Sequence, residues 1–157
     1  MDAIELFEDP RLTTMGLLFE AHAGVVAKLE PVWKAHRLSG LDLNALMRLS
    51  RSPGRRLRMS ALAVQTSLST SGVTRLVDRL AGAGLVEREL DPDDRRSAYA
   101  VLTEAGAARL AQVLPDYLAA IDRWFVGLMT PVQLEALVEA LRIVRDVSNP
   151  EATFGVG

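Results

Sequence analysis

Residues 60–106 read SALAVQTSLSTSGVTRLVDRLAGAGLVERELDPDDRRSAYAVLTEAG. The first half of this stretch holds two segments, 60–65 and 70–83, in which apolar residues recur every three or four positions, as on the buried face of a helix. In the second segment these residues are Val73, Leu76, Val77 and Leu80. The polar run TSLS at 66–69 separates the two segments. The pattern predicts two short helices joined by a tight turn.

The second half of the stretch changes from a helical period to a period of two. Residues 85–90 (LVEREL) and 98–102 (AYAVL) alternate in the manner of strands, and residues 91–97 (DPDDRRS) between them are turn-forming and charged. The change predicts a β-hairpin. Two short helices followed by a hairpin are typical of a winged helix-turn-helix, whose second helix enters the DNA major groove.

Helices are also predicted on the N-terminal side of this motif. Apolar periodicity indicates a long helix over 11–37 and a shorter one over 42–51, with Asp42 as the cap of the shorter helix. A short strand at 57–60 then ends in Ser60, which is expected to act as the N-cap of the first motif helix.

Two further helices follow the hairpin. Thr103 is expected to cap a helix that runs to about Met129. Thr130 and Gln133 form a capping box, with proline at the first helical position, for a last helix that ends near Val147.

The predicted fold is mainly α with a small β-hairpin wing. Pro31 and Pro115 lie inside the two long helices and predict a kink or a new segment at the first and a bend at the second. The apolar stripes of the terminal helices exceed what one small core needs, so we expect them to meet a second copy of the chain. The prediction is a single domain, 1–157, with a DNA-binding lobe at about 42–103 and dimerisation helices at about 11–37 and 104–147.

Composition bounds the class of protein. The chain has 157 residues, 49% of them apolar and 24% charged, as in one globular domain. It has no cysteine, which excludes disulfides, thiolate metal sites and a thiol redox switch. The start lacks the basic and apolar regions of a signal peptide, and no apolar run reaches the length of a membrane span. We therefore expect a soluble, cytoplasmic protein that does not act at a membrane.

Charge is distributed unevenly along the chain, although the net charge is only −2. Residues 48–96 contain ten arginines, no lysine and six acidic residues, a balance of +4, and the remainder of the chain carries −6. DNA meets the local field of a protein surface rather than its net charge. A basic centre between acidic arms is therefore compatible with DNA binding, although charge clusters are also ordinary solvated surface.

The motif resembles the multiple antibiotic resistance regulator (MarR) family. The resembling pieces are VTRLVDRL at 73–80, GLVER at 84–88, DRRS at 94–97 and LTEAG at 102–106. The resemblance implies a triangular homodimer with interleaved terminal helices, in which each subunit presents one winged helix-turn-helix to half of a pseudo-palindromic operator in double-stranded DNA. The chain departs from the family pattern at Thr66, often a buried leucine, and at Ser67, often a glycine in the turn.

The N-terminal end of the second motif helix carries the side chains that we expect to face DNA: Thr70, Ser71, Thr74 and Arg75. Hydroxyl groups can contact phosphates or base edges, and an arginine can donate two hydrogen bonds to guanine. Arg79, one turn further on, is expected to bind phosphate, and Ser60 to donate to a phosphate as well as cap its helix. Ser69 is the expected N-cap, and in the alternative reading Ser71 and Thr74 also only satisfy the helix N-terminus.

The wing tip and the segment before the motif supply further arginines. A narrow, negative minor groove attracts a guanidinium. The resemblance gives Arg96 as the inserted residue, Asp94 as its charge-assisted partner and Arg95 as a neighbour that touches phosphate. The alternative is a solvated turn, which the sequence Asp-Pro-Asp-Asp also favours. The basic segment with Arg55, Arg56 and Arg58 either contacts phosphate or forms ordinary surface.

Family members often bind a small aromatic or phenolic anion between the dimerisation and DNA-binding lobes. The resemblance therefore implies an effector pocket, and the candidate lining residues are His22, Trp33, His36, Met47 and Arg48. Packing in the core or at the dimer interface is the alternative for each of them. Two histidines without a nearby carboxylate cluster do not predict a metal site, and no cofactor is expected.

Four classes of function remain at this point. They are a ligand-responsive dimeric repressor, a DNA-binding regulator without an effector, a winged helix that binds proteins, and an enzyme. The sequence contains no evident nucleophile–base pair, phosphate-binding glycine loop or metal constellation, so an enzyme ranks last.

Overall fold

The computed structural model describes residues 6–153, which form six α-helices and one small sheet. The helices are α1 (Pro10–Ala35), α2 (Gly40–Ser50), α3 (Met59–Gln65), α4 (Thr70–Gly82), α5 (Glu104–Trp124) and α6 (Pro131–Ser148). The strands are β1 (Arg56–Arg58), β2 (Val86–Leu90) and β3 (Ala98–Leu102). Short 3-10 turns occupy Pro53–Arg55, Val126–Leu128 and Pro150–Thr153. The predicted fold class, mainly helical with a winged helix-turn-helix, is confirmed.

The first helix begins one residue earlier and ends two residues earlier than predicted, and it is one continuous helix. Asp9 caps α1 by accepting a hydrogen bond from the backbone N–H of Arg11, and the helix continues through Pro31 to Ala35. The new segment that we considered at Pro31 is therefore absent. The helix ends because Arg37 adopts a left-handed conformation with φ of 57°.

Two predicted caps are wrong. Helix α2 is capped by Ser39, and Asp42 is the third helical residue, whose carboxylate accepts a hydrogen bond from the Ser39 backbone N–H at 2.7 Å. The two residues therefore form a capping box one turn earlier than predicted. Helix α3 begins at Met59 with Arg58 at the N-cap position, so Ser60 lies inside the first turn and caps nothing.

The three strands pair in the order β1-β3-β2, and both pairs are antiparallel. The register sets Leu57 of β1 and Arg88 of β2 opposite Ala100 in the central strand. The sheet covers one side of the helix-turn-helix core. The core side chains under it are buried and come mainly from α2, α3 and α4: Leu43, Leu46, Leu49, Leu62, Val73, Leu76, Val77 and Leu80.

The helices that follow the wing differ in part from the prediction. Helix α5 ends at Trp124, five residues before the predicted end, because Phe125 leaves helical geometry with φ of −143° and ψ of −76°. The Thr130–Gln133 capping box is confirmed, and α6 has no buried residue in the protomer. No single helix within 6–153 is long and apolar enough to cross a membrane. The segments 104–128 and 131–148, bent by 101°, reach that length and composition only as a pair.

The DNA-binding motif and α5 meet where the backbone of Leu85 approaches Gly106. The Leu85 carbonyl oxygen accepts a hydrogen bond from the Thr103 N–H at 3.2 Å, and the Thr103 hydroxyl donates to the Gly84 carbonyl at 2.7 Å. A Cβ at Gly106 would lie 2.0 Å from the Leu85 carbonyl oxygen, so no side chain fits there. The glycine of the LTEAG motif therefore allows α5 to begin against the start of β2.

Gly106→Ala should lower the free energy of unfolding by about 2 kcal/mol or more, because a methyl group forces the two backbones apart. Gly82→Ala is the matched control, since a Cβ at Gly82 meets nothing within 4 Å and alanine favours a helix. Urea denaturation of both variants at one protein concentration measures the difference. Equal stability of the two variants would contradict the close approach at Gly106.

Candidate nucleic-acid interface

A cavity of about 250 Å³ separates the N-terminal half of α4 from the wing. Three arginines from three different elements line it, Arg58 of β1, Arg88 of β2 and Arg96 of the wing loop. Hydroxyl groups line the side opposite the wing, from Ser60, Thr70 and Thr74. The cavity therefore combines positive charge with hydrogen-bonding groups, a composition suited to an anionic ligand such as a phosphate backbone.

The N-terminus of α4 is organised by its own hydroxyl groups. Ser69 is the N-cap, as predicted, and its Oγ accepts from the Gly72 N–H at 3.1 Å. The Ser71 hydroxyl lies 3.2 Å from that Oγ, and the Thr74 hydroxyl donates to the Thr70 carbonyl at 2.8 Å. Ser71 and Thr74 thus make local hydrogen bonds, but neither bond is to a backbone N–H of the helix N-terminus, as the alternative required. Their oxygen atoms can still accept hydrogen bonds from outside the helix.

The turn before α4 contains both residues that depart from the family pattern, Thr66 and Ser67. Ser67 adopts a left-handed conformation with φ of 55°, although it is not glycine. Thr66 is buried, and its hydroxyl donates to the Leu62 carbonyl at 2.6 Å, which satisfies the polar atom at this position. The predicted tight turn therefore forms, at a local conformational cost at Ser67.

The two arginines of α4 have different surroundings. Arg79 donates from Nη2 and Nε to the Asp42 Oδ1 at 2.6 and 3.2 Å, and the Asp42 side chain is only 9% exposed. Arg75 is exposed and forms no ion pair or hydrogen bond of its side chain within residues 6–153. The guanidinium of Arg79 thus neutralises a buried carboxylate, a geometry that does not support its predicted role as a phosphate ligand. Arg75 is exposed, and DNA binding by its side chain stays a prediction.

The wing tip differs from the expected arrangement of its charges. The Asp94 carboxylate accepts from the Arg96 backbone N–H and from the Ser97 hydroxyl, both at 3.0 Å, and not from the Arg96 guanidinium. The predicted side-chain pair between Asp94 and Arg96 is therefore wrong. These two hydrogen bonds, with a smaller contribution from the Arg58 charge, hold the pKa of Asp94 below its usual value. Asp94 thus fixes the loop backbone and leaves the Arg96 side chain unpaired.

The remaining arginines of this region lie in the wing loop and in β2. Arg95 and Arg96 are both exposed, without ion pairs in the described part of the chain. Arg88, a cavity residue that the sequence patterns do not predict as a site residue, lies 3.6 Å from the Asp78 carboxylate. The alternation along β2 could have identified Arg88 as a residue that faces the motif, because it lies on the same face of the strand as the buried Val86.

The residues proposed for an effector pocket do not form one cluster in the protomer. Trp33 is buried with its ring against Gly40 and 6.3 Å from the Tyr117 ring. His36 lies nearby, with Nε2 3.0 Å from the Asp116 carboxylate. His22 is exposed and about 21 Å away along the helix axis, so one small ligand does not reach both histidines of the same protomer.

The other two pocket candidates lie on α2. Arg48 donates to the Asn44 side chain at 2.9 Å and the Gln65 side chain at 3.3 Å, and partial burial lowers its pKa. Met47 packs against the core. Burial likewise raises the pKa of Tyr117, the neighbour of Trp33. The effector pocket stays a prediction, and residues 6–153 contain no group of three or more side chains that could hold a metal ion.

Comparison with known proteins places this geometry in a family. The MarR family model matches residues 38–97. The structure of AbsC, a MarR family transcriptional regulator from Streptomyces coelicolor, superposes with a TM-score of 0.82 at 33% identity, over 88% of this chain and 93% of AbsC. This chain belongs to the MarR family. The structure of Sco3205 from the same organism, a MarR family regulator in complex with DNA, gives a TM-score of 0.82 at 28% identity over 92% and 91% of the two chains.

Curated relatives of this MarR family member are transcriptional regulators rather than enzymes. The regulator MhqR of Bacillus subtilis is 32% identical over 77 residues, which are 49% of this chain and 52% of MhqR. The repressor YetL of the same organism is 31% identical over 105 residues, 67% of this chain and 63% of YetL. The matches thus span about half to two thirds of these curated relatives.

The different surroundings of Arg79 and Arg75 predict that the two residues contribute differently to the free energy of unfolding. Arg79→Gln should lower the free energy of unfolding by about 1–2 kcal/mol, because it leaves the buried Asp42 without its cation; the half-exposed guanidinium keeps the loss below that of a fully buried pair. Arg75→Gln is the matched control and should change stability by less than about 0.5 kcal/mol. Thermal and urea denaturation compare the two variants. A greater loss in Arg75→Gln would overturn the assignment.

Proposed function

We propose that the protein is a dimeric, sequence-specific DNA-binding transcriptional regulator that acts as a repressor. The observation that carries this proposal is the cleft between α4 and the wing, where Arg58, Arg88 and Arg96 converge opposite the hydroxyl groups of α3 and α4. The likeness to Sco3205, a regulator whose structure contains DNA, supports DNA binding by this fold. The regulatory role is supported by the family, whose curated members include the repressors YetL and MprA.

In this proposal each subunit reads both grooves of one half-site. The N-terminus of α4 enters the major groove, where the exposed Thr70, Ser71 and Arg75 reach base edges and Thr74 supports them. The wing places Arg96 in the adjacent minor groove, with Arg95 at the phosphates. Ser60 lies exposed in the first turn of α3 and donates to a phosphate. Arg79 stays with Asp42 and acts by holding α4 in place.

A second copy of the chain is required by this proposal. Large apolar side chains are exposed on the N-terminal half of α1 and on α6: Leu12, Met15, Leu18, Phe19, Val138, Leu141, Ile143, Val144 and Val147. Exposed apolar surface of this extent marks an interaction site. A two-fold dimer buries the same patch on both subunits and directs two motifs to one face, which matches a pseudo-palindromic operator.

We propose that the chain has a DNA-binding lobe and a dimerisation lobe, because the cleft and the exposed apolar residues lie on different segments. The segment 42–103 contains the helix-turn-helix and the wing, and the helices at 11–37 and 104–147 supply the exposed apolar residues. We propose that all of them form one domain, since α1 and α5 pack against each other and against the core of the motif through Leu29, Trp33, Leu110 and Val113. Motion of the terminal helices would then change the spacing of the two motifs.

Control by a small aromatic anion is the finer part of the proposal. Trp33, His36 and Tyr117 lie together where α1 and α5 meet, at the border of the two lobes. A regulator without an effector is the second candidate, because Trp33 is buried by its own protomer and this burial favours a packing role. Titration of phenolic and aromatic carboxylic acids into the operator complex separates the two. A fall in DNA affinity supports the effector, and no change across a broad library supports the second candidate.

Selection of bound duplexes from a random pool tests the DNA-binding function itself. We expect an enriched palindrome whose half-sites are about one helical turn apart, because two motifs related by a two-fold axis bind neighbouring turns of one face. Enrichment of no sequence would leave a winged helix that binds proteins as the better account.

Arg96→Ala should weaken binding to the selected operator by about 1–3 kcal/mol, because the wing loses its contact in the minor groove. Fluorescence anisotropy at moderate salt measures the change. Arg123→Ala removes the same charge from an exposed position on α5 outside the cleft and is the control. Unchanged affinity in Arg96→Ala would remove the wing from the mechanism.

Ile143→Asp should convert the dimer into a folded monomer, because it places a carboxylate in the proposed apolar interface while Ile143 is 62% exposed in the protomer. Sedimentation velocity with circular dichroism measures mass and helicity together. Leu90→Asp is the control, since Leu90 is 67% exposed but lies in the wing. An intact Ile143→Asp dimer would refute this placement of the interface.

A further inference from the structure

Arg58 joins the two ends of the wing loop. It is the last residue of β1, and its Nη2 lies 2.9 Å from the Asp91 carboxylate at the start of the loop. Its Nη1 donates to the Ser97 hydroxyl at 3.2 Å at the end of the loop. The Asp91 side chain is only 7% exposed, so Arg58 is the counter-ion of a buried carboxylate. Both terminal nitrogens of the guanidinium are therefore engaged within the protomer.

A short chain of hydrogen bonds continues from Arg58 to the wing tip. The Ser97 hydroxyl donates to the Asp94 Oδ2 at 3.0 Å, and the Asp94 Oδ1 accepts from the Arg96 backbone N–H at 3.0 Å. The backbone closes the same loop, because Asp91 N–H donates to the Ser97 carbonyl at 3.0 Å. Four consecutive residues of the loop tip, 92–95, are exposed and bury no apolar side chain. Polar contacts are thus what defines the conformation of the loop.

We propose that Arg58 is a positioning residue, which sets the direction of the Arg96 side chain and thereby the affinity for the operator. The inference rests on the proposed function. Direct contact between Arg58 and a phosphate is the competing role, since Arg58 also lines the cleft. The geometry favours positioning, because a phosphate would have to take Arg58 from the buried Asp91, and a buried charge without its partner is costly.

A double-mutant cycle between Arg58 and Arg96 tests the proposal. Arg58→Met should weaken operator binding by about the same factor as Arg96→Ala, between about five- and 150-fold. The double variant Arg58→Met/Arg96→Ala should bind no more weakly than Arg96→Ala alone. Additive losses, with a salt slope reduced by about a further 0.9 in the double variant, would establish a direct phosphate contact and overturn the proposal.

Ser97→Ala provides a second test in case Arg58→Met unfolds. It removes the relaying hydroxyl and no charge, and its loss of affinity should likewise vanish in the Arg96→Ala background. Full operator affinity in Ser97→Ala would overturn the relay from Arg58 to the wing tip.

Hydrogen exchange of the Arg96 backbone amide gives a readout that needs no DNA. In the free protein this amide should exchange faster in Arg58→Met than in wild type, because the Asp94 acceptor loses its support. Arg56→Met is the matched control, since Arg56 pairs with Glu89 rather than with the loop and should leave this exchange unchanged. Unchanged exchange in Arg58→Met would overturn the positioning role. If the wild-type protein binds no operator, the proposed function is refuted. The hydrogen-exchange result still tests the positioning role of Arg58, because it is measured in the free protein.

Discussion

The arrangement of the DNA-facing elements depends on the contact between the backbone of Leu85 and Gly106. The Leu85 N–H donates to the Leu80 carbonyl and so closes the end of α4, while its carbonyl receives the Thr103 N–H and faces the Cα of Gly106. Within this short segment α4 ends, the wing begins and α5 is attached. A shift here would move the recognition helix, the wing and a long terminal helix relative to one another. The close approach therefore joins the recognition helix, the wing and α5 at one backbone contact.

Charged groups near the cleft fall into two sets, arginines that pair with buried acids and arginines that are unpaired, and we propose that the second set serves recognition. Asp42 and Asp91 are buried carboxylates, and each is neutralised by one arginine, Arg79 and Arg58 respectively. Arg75 and Arg96 have no such partner in the described chain. They extend from α4 and the wing loop, which Arg79 and Arg58 hold in place. A charge engaged with a buried acid is costly to release, whereas an exposed and unpaired one is available to a phosphate or a base. Arginines that look equivalent in the sequence thus have separate roles.

Helix periodicity and capping patterns in the sequence predicted the features that depend on residues close together in the chain. The periodicity of 70–83, the N-cap at Ser69 and the capping box at Thr130 depend on neighbours within a few residues, and each was predicted correctly. The errors have two origins. Ser39 and Asp42 both fit a cap, and the reciprocal hydrogen bonds between them make Ser39 the N-cap and Asp42 the third helical residue, a local pattern that the prediction missed. In the wing, Asp94 bonds the Arg96 N–H and the Ser97 hydroxyl instead of the Arg96 guanidinium, and Ser97 is in turn held by Arg58, 39 positions away, a contact that the sequence near Asp94 could not reveal.

Dimethyl sulfate footprinting of the selected operator tests the central claim, because the reagent reports guanine N7 in the major groove and adenine N3 in the minor groove separately. The account predicts two protected major-groove patches about one helical turn apart, each with protected adenines in the adjacent outer minor groove. Protection of the major groove in a single patch, or no protection in either groove, would contradict the claim that two subunits present α4 and the wing together.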